Sequence, residues 1–270
     1  MKNIIGRYTL IKGLKTYYET NYETYNPGTA TVVCIHTAGR ETRQYHGIME
    51  ILAGKYQLVA LDMPGHGKSM PVKGNKCLDT REEFGAFIWE FIETLGIKQP
   101  VTMGCSLGGN IQWELAQNYP VKAVISMQGA DYTPTISPLS MALYNHPHVS
   151  LQHAHLGFSK SLIGRDTDQA AIDFIQWGVM TECNQAKIGD WAIYGTFDVR
   201  DKMNKVTCPV LIIRGEDDWI VSQELVEETK ARLVNAKKVV YKPLPGIGHF
   251  AAVENPKAVS QIVDEFLSGL

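Results

Sequence analysis

No stretch of this 270-residue chain approaches the ~18 consecutive apolar residues of a membrane-spanning helix. Its longest apolar runs, such as Val32–Ile35 and Val210–Ile213, are short. The opening MKNIIGRYTLIKG lacks the apolar core of a secretory signal. Cysteine is scarce: Cys34, Cys77, Cys105, Cys183 and Cys208 are odd in number, scattered and without a CxxC pair, which argues against a disulfide framework or a zinc site. Neither sign of charge dominates. With Lys plus Arg at 26 and Asp plus Glu at 28, the net charge of −2 offers no basic face for nucleic acid. These absences lead to the expectation of a reduced, cytoplasmic protein with mostly buried thiols, acting on a small molecule with no nucleic-acid or membrane partner.

What is present fits a globular protein with a sizeable core: 44% apolar and 20% charged residues. β-like runs occur at Tyr8–Lys12, Lys15–Thr20, Thr31–His36, Gln57–Leu61, Val101–Met103, Ala123–Met127, Val210–Ile213 and Lys238–Tyr241. TVVCIH is apolar on both faces, as in a strand buried within a parallel sheet. Helical patterns alternate with these runs. Phe84, Phe87, Ile88, Phe91, Ile92 and Leu95 form an apolar stripe, with Thr80 and Glu83 as a capping box before it and Gly96 as its stop. Asn255–Pro256 opens a last helix. The alternation predicts a doubly wound α/β sheet. Between Asp131 and Lys205 it fails: there is no strand pattern, only helical pieces near Ile172–Met180 and Gly189–Phe197. That segment is too long for a structureless loop, and it reads as a helical insertion over the C-terminal edge of the sheet, where open α/β folds bind ligands.

The sharpest local signal is Gly104-Cys105-Ser106-Leu107-Gly108-Gly109, set between a β run and a helical pattern. This is the context of a nucleophile elbow, in which a serine sits on a strained strand-to-helix turn and glycines two residues away leave it room. The turn puts Ser106 at the positive end of a helix, where the Leu107 amide can stabilise an oxyanion. Taken alone, the motif is equally an ordinary glycine-containing turn. Three further segments bear on it: Asp62-Met63-Pro64-Gly65-His66-Gly67-Lys68-Ser69 after a buried strand, Arg214-Gly215-Glu216-Asp217-Asp218 at the end of another, and Pro245-Gly246-Ile247-Gly248-His249-Phe250 after the last. The chain order is serine, acid, histidine.

On these motifs in this order, the chain resembles the α/β-hydrolase fold superfamily over nearly its whole length outside the insertion. It is similar to the branch of small esterases, lactonases, peroxidase-like hydrolases and carbon–carbon bond hydrolases. The resemblance implies a mostly parallel eight-stranded sheet flanked by helices, a hydrolase core over residues 1–131 and 205–270, and a helical cap over 132–204. It further implies Ser106 as nucleophile, His249 as base and Asp218 as acid, with no cofactor or metal. The second oxyanion donor falls to the Ala38 amide by alignment of His36-Thr37-Ala38-Gly39 with the family's His-Gly-x; Thr37 departs from the usual glycine there. Substrates are then small or medium esters, lactones or similar acyl compounds. A diketone-like carbon–carbon substrate, hydroxynitrile lyase chemistry and a ligand-binding receptor with weak hydrolysis stand as alternatives. Haloalkane dehalogenase and the usual epoxide hydrolase are disfavoured, since those relatives carry aspartate where this chain has Ser106.

Other residues have plainer readings. His36 is expected to hydrogen-bond backbone near the oxyanion loop, with a catalytic role as its alternative, and His66 to stabilise its turn or face solvent, with the pocket as its alternative. Asp217 reads as a loop hydrogen-bonding residue, and Asp131 as an alternative acid. Cys105 is expected to point away from Ser106 into the fold. His146, His148, His153 and His155 match no zinc spacing and show no helix face; a solvated or pocket-lining role is expected. Thr37, Trp177, Trp191 and Tyr194 are candidates for the substrate pocket, the aromatics being equally suited to helix packing.

Overall fold

The computed structural model describes residues 4–74, 78–134, 146 and 148–270. Cys77 and part of the inserted segment lie outside the described residues. Eight strands form one sheet: β1 Ile5–Ile11, β2 Leu14–Thr20, β3 Thr31–Ile35, β4 Gln57–Leu61, β5 Val101–Cys105, β6 Ala123–Met127, β7 Val210–Gly215 and β8 Val239–Leu244. Their spatial order is β1-β2-β4-β3-β5-β6-β7-β8. The β1–β2 hairpin and the β2–β4 pairing are antiparallel; all other pairings are parallel. Val33 and Ile35 of β3 enter one core and Val32 and Cys34 the other, so the run that is apolar on both faces serves two cores.

The described helices are α1 His46–Ile51, α2 Arg81–Thr94, α3 Leu107–Asn118, α4 Leu151–Ser161, α5 Gln169–Thr181, α6 Asn184–Gly195, α7 Gln223–Arg232, α8 Ala251–Glu254 and α9 Pro256–Leu267. Their ends follow sequence chemistry. The Thr80 hydroxyl accepts from the Glu83 amide, while the Glu83 carboxylate reaches back to the Asp79 amide. Asn255 caps α9 ahead of Pro256. Gly96, at φ 66°, ends α2.

Between β6 and β7 the described elements are α4, α5, α6 and a 3-10 turn, Arg200–Lys205; apart from one isolated bridge, Tyr132 to Asp198, no strand interrupts them. α4 contains His153 and His155 and is begun by the Ser150 hydroxyl, so these two histidines are helical where the sequence pattern showed no helix face, whereas His146 and His148 precede the helix. No helix among the described residues is long and apolar enough to cross a membrane.

Candidate active site

Because β3 to β8 run parallel, the segments leaving β3, β4, β5, β7 and β8 gather at one sheet edge. β5 delivers Ser106, the residue before α3, at φ 58° and ψ −119°, a conformation that costs a non-glycine residue about 1–3 kcal/mol. Close packing holds it there. A Cβ on Gly104 would land on the Gly108 carbonyl, and one on Gly108 would meet the Ile35 and His36 carbonyls. The Ser106 amide donates to the Met127 carbonyl at 2.9 Å and its carbonyl accepts from the Asn110 amide at 2.8 Å.

β7 and β8 supply the other two groups. Asp218 Oδ1 accepts from the amides of Ile220 (2.9 Å) and Val221 (3.3 Å). That leaves Oδ2 for Nδ1 of His249, 2.7 Å away; both side chains are buried. With Nδ1 donating to the carboxylate, Nε2 keeps its lone pair. The His249 loop is itself anchored. The Glu254 carboxylate accepts from the Gly248 and Phe250 amides on either side of His249, each at 2.8 Å, from the Gly164 amide at 2.8 Å and from the Thr167 hydroxyl at 2.6 Å. The His249 amide donates to the Leu162 carbonyl at 2.8 Å.

Ser106 and His249 face the same small cavity, of about 20 Å³, together with Thr37, Ala38, Arg40, His155, Phe158, Trp191, Tyr194 and Phe250. In the loop after β3, the Thr37 amide donates to Gln44 Oε1 (3.0 Å) and the Gly39 amide to Asp190 Oδ2 (2.8 Å). The Ala38 amide between them has no such acceptor among the described residues. The Thr37 hydroxyl donates to the Cys105 carbonyl at 3.4 Å. Trp191 and Tyr194 line the cavity. Trp177 does not: it is 43% exposed, with the Arg43 guanidinium 4.2 Å above its ring, because its face of α5 turns outward.

The remaining candidates separate cleanly. Asp131 accepts from the Thr229 hydroxyl (2.9 Å) and ion-pairs with Arg232 (3.0 Å), away from His249. Asp217 holds the backbone and guanidinium of Arg165. Cys105 lies in the core with Sγ 3.2 Å from the His249 carbonyl, and burial pushes its thiol up to about 12. His36 hydrogen-bonds backbone as expected, through Nδ1 to the Thr37 carbonyl (2.9 Å) and Nε2 from the Met63 amide (3.1 Å); burial holds its pKa down, at about 3. His155 is buried against Glu182, whereas the His146 and His148 rings lie at the surface, tilted by 52° with centroids 5.6 Å apart.

His66 does stabilise its turn, with Nδ1 3.2 Å from the Pro64 carbonyl, but it is buried and not solvated, and its Nε2 lies 2.9 Å from Asp190 Oδ2. Burial disfavours its charge, but the Asp190 carboxylate outweighs that, and the His66 pKa is raised above 6.5. His36, His66 and Asp190 lie close enough to mimic a metal-ligand set, yet both His36 nitrogens are already engaged by backbone. A folded-state pKa above the unfolded one means the pair stabilises fully below pH 6.5, and that stabilisation is lost as pH rises through the raised value. The difference in Tm between wild type and His66→Gln should therefore be largest below pH 6.5 and shrink toward pH 9. A difference that grows with pH would contradict the charged pair.

Sequence reasoning missed Arg40, Glu254 and Asp190. Only Glu254, directly before the Asn255–Pro256 helix start, left a positional hint.

Comparison with known proteins bears on the family and the fold. A family model for the alpha/beta hydrolase fold matches residues 30–152, and one described as TAP-like protein matches residues 175–269. An uncharacterised hydrolase of Bacillus subtilis, YugF, is 27% identical, with 97% of each chain covered. A 2-hydroxy-6-oxononadienedioate/2-hydroxy-6-oxononatrienedioate hydrolase of Cupriavidus pinatubonensis is 23% identical, over 97% of this chain and 95% of that protein. The crystal structure of the enol-lactonase from Burkholderia xenovorans superposes with a TM-score of 0.82 at 18% identity, over 97% of this chain and all of that one. The chain belongs to the α/β-hydrolase superfamily. It is a hydrolase.

Proposed function

We propose that this hydrolase cleaves a small or medium ester, lactone or similar acyl substrate through Ser106, His249 and Asp218, by way of an acyl-enzyme. The observation that carries the reading is the 2.7 Å contact between His249 Nδ1 and Asp218, with His249 and the strained Ser106 facing one cavity. A serine hydroxyl is a weak nucleophile until a base takes its proton, and His249 Nε2 is free to do so. Asp218 keeps that tautomer and stabilises the imidazolium without taking the proton itself. As Ser106 Oγ adds to the carbonyl carbon, the carbonyl oxygen becomes an oxyanion, held by the Leu107 and Ala38 amides. His249 then protonates the leaving oxygen, and a water molecule, deprotonated by the same imidazole, releases the acid. The helices of residues 132–204 act in this reading as a cap, contributing His155, Phe158, Trp191 and Tyr194 to the cavity wall.

The 23% identical 2-hydroxy-6-oxononadienedioate/2-hydroxy-6-oxononatrienedioate hydrolase supports a second reading, in which the same triad cleaves a carbon–carbon bond of a diketone-like compound. The test is covalent. A fluorophosphonate probe should label the protein once, on the peptide bearing Ser106, and block turnover of short p-nitrophenyl esters. A β-diketone panel then separates the two readings. Labelling elsewhere, or none, would overturn both.

A further inference from the structure

Beside the small cavity at Ser106 lies a larger one, of about 160 Å³, and Thr37, Arg40 and Phe250 line both. Its apolar wall includes Phe174, Ile175 and Val253. Its charged side chains are mostly matched. Glu41 pairs with Arg43 at 2.6 Å, Glu182 is held by Lys187 and by His155, and His66 is held by Asp190. The Lys68 ammonium rests on the Tyr17 hydroxyl and ring, at the partly exposed rim.

Arg40 has no such match. It is 8% exposed, and among the described residues no carboxylate comes within ion-pairing distance of it. Nη2 donates to the Ser159 hydroxyl at a long 3.3 Å, and Nη1 is buried with no hydrogen-bond partner. The Phe250 ring lies 5.4 Å from the guanidinium carbon, and the Glu182 and Glu41 carboxylates act on Arg40 only from beyond ion-pairing distance. A guanidinium cannot relieve its burial by losing its proton, so one without a direct counter-ion favours an anion that completes it. Glu182 Oε2 is likewise unpartnered, but the charge of that carboxylate is already offset by Lys187, and the cluster of Arg40, Glu182 and Lys187 sums to +1. Arg40 stands two residues after Ala38, in the same loop as the proposed oxyanion amide. A substrate whose carbonyl reached that amide would carry one end of its chain toward Arg40.

We infer that Arg40 binds a carboxylate at the far end of the substrate, so that the enzyme selects acyl compounds bearing a free acid separated from the scissile carbonyl by a short apolar chain. The inference rests on Ser106 as nucleophile for its orientation, though the Arg40 subsite stands on its own contacts. A planar carboxylate can take two parallel N–H donors from a guanidinium, and a site built for that pairing discriminates against the uncharged isostere.

The test compares mono-p-nitrophenyl adipate with its terminal amide, p-nitrophenyl adipamate, at pH 7.5 with the spontaneous rates subtracted. Wild type should favour the acid by tenfold or more in kcat/KM, Arg40→Met should bring the ratio to about one, and Arg40→Lys should retain part of it. Equal rates in wild type, or a preference that survives in Arg40→Met, would overturn the inference while leaving the serine mechanism in place. A second readout needs no turnover: adipate should raise the Tm of wild type saturably and that of Arg40→Met not at all. If Ser106 proves unreactive, that measurement still decides the subsite. If circular dichroism shows Arg40→Met unfolded, Arg40→Gln, which keeps donors but removes the charge, takes its place with the same expected loss.

Discussion

Replacing Ser106 with alanine should lower kcat on short esters by about 10⁵–10⁶ while moving the Tm by no more than a degree or two. The two halves of this expectation come from different properties of the residue. The turn is held by backbone hydrogen bonds to Met127 and Asn110 and by the glycines around it, and alanine brings the same Cβ to the same φ of 58°. Backbone strain is therefore unchanged. The chemistry has no substitute: Cys105, the neighbouring thiol, points into the core with its pKa raised by burial, and the Thr37 hydroxyl is engaged with the Cys105 carbonyl. Residual catalysis of about 10³–10⁴ over water would remain from the oxyanion amides and binding. Steady-state rates of purified variant and wild type, with a melting curve for each, decide the matter. Activity within tenfold of wild type would remove Ser106 from the mechanism.

Glu254→Ala is the variant expected to cost most stability. Its carboxylate gathers three backbone amides and one hydroxyl, and two of those amides flank His249. Truncation leaves these buried donors unsatisfied, each a cost of about 1–3 kcal/mol when no replacement forms. Allowing for partial relaxation, the loss should be about 3–5 kcal/mol, or a fall in Tm of about 10 °C for a chain of this size. Activity should fall as well at temperatures where the variant is folded, because the imidazole loses the frame that points it at the cavity. Glu254→Gln, which keeps one acceptor oxygen, should lie between. Thermal unfolding with kcat measured 20 °C below each midpoint checks both effects; an unchanged midpoint would show that the four hydrogen bonds do not bear on the fold.

Much of the framework was legible because it depends on local pattern. A strand buried on both faces is apolar along most of its length, so β3, β4 and β6 declare themselves despite Thr31, Gln57 and Ser126, and the Gly104–Gly109 turn allows few residue types. The serine–acid–histidine order placed the three side chains at one edge for the same reason: parallel strands bring the segments that follow them together. What could not be read depends on partners distant in sequence. His66 is buried rather than solvated because Asp190, 124 positions away, faces it. Asp131 could be set aside as the acid only once Arg232 was seen against it. α4 was hidden because His155 and Ser159 occupy the buried positions where apolar residues would have announced a helix. Trp177 was offered for the pocket because periodicity identifies a helix without saying which side meets its neighbours.

Asp190 of α6 accepts from the Gly39 amide and from His66 through a single oxygen, so the loop that carries Ala38 is fastened to the segment overlying it rather than to the sheet alone. Any outward swing of that helix to admit substrate or let product leave must first let go of the Gly39 amide. In the proposed mechanism, one carboxylate oxygen would then tie the position of that helix to the backbone next to the Ala38 amide.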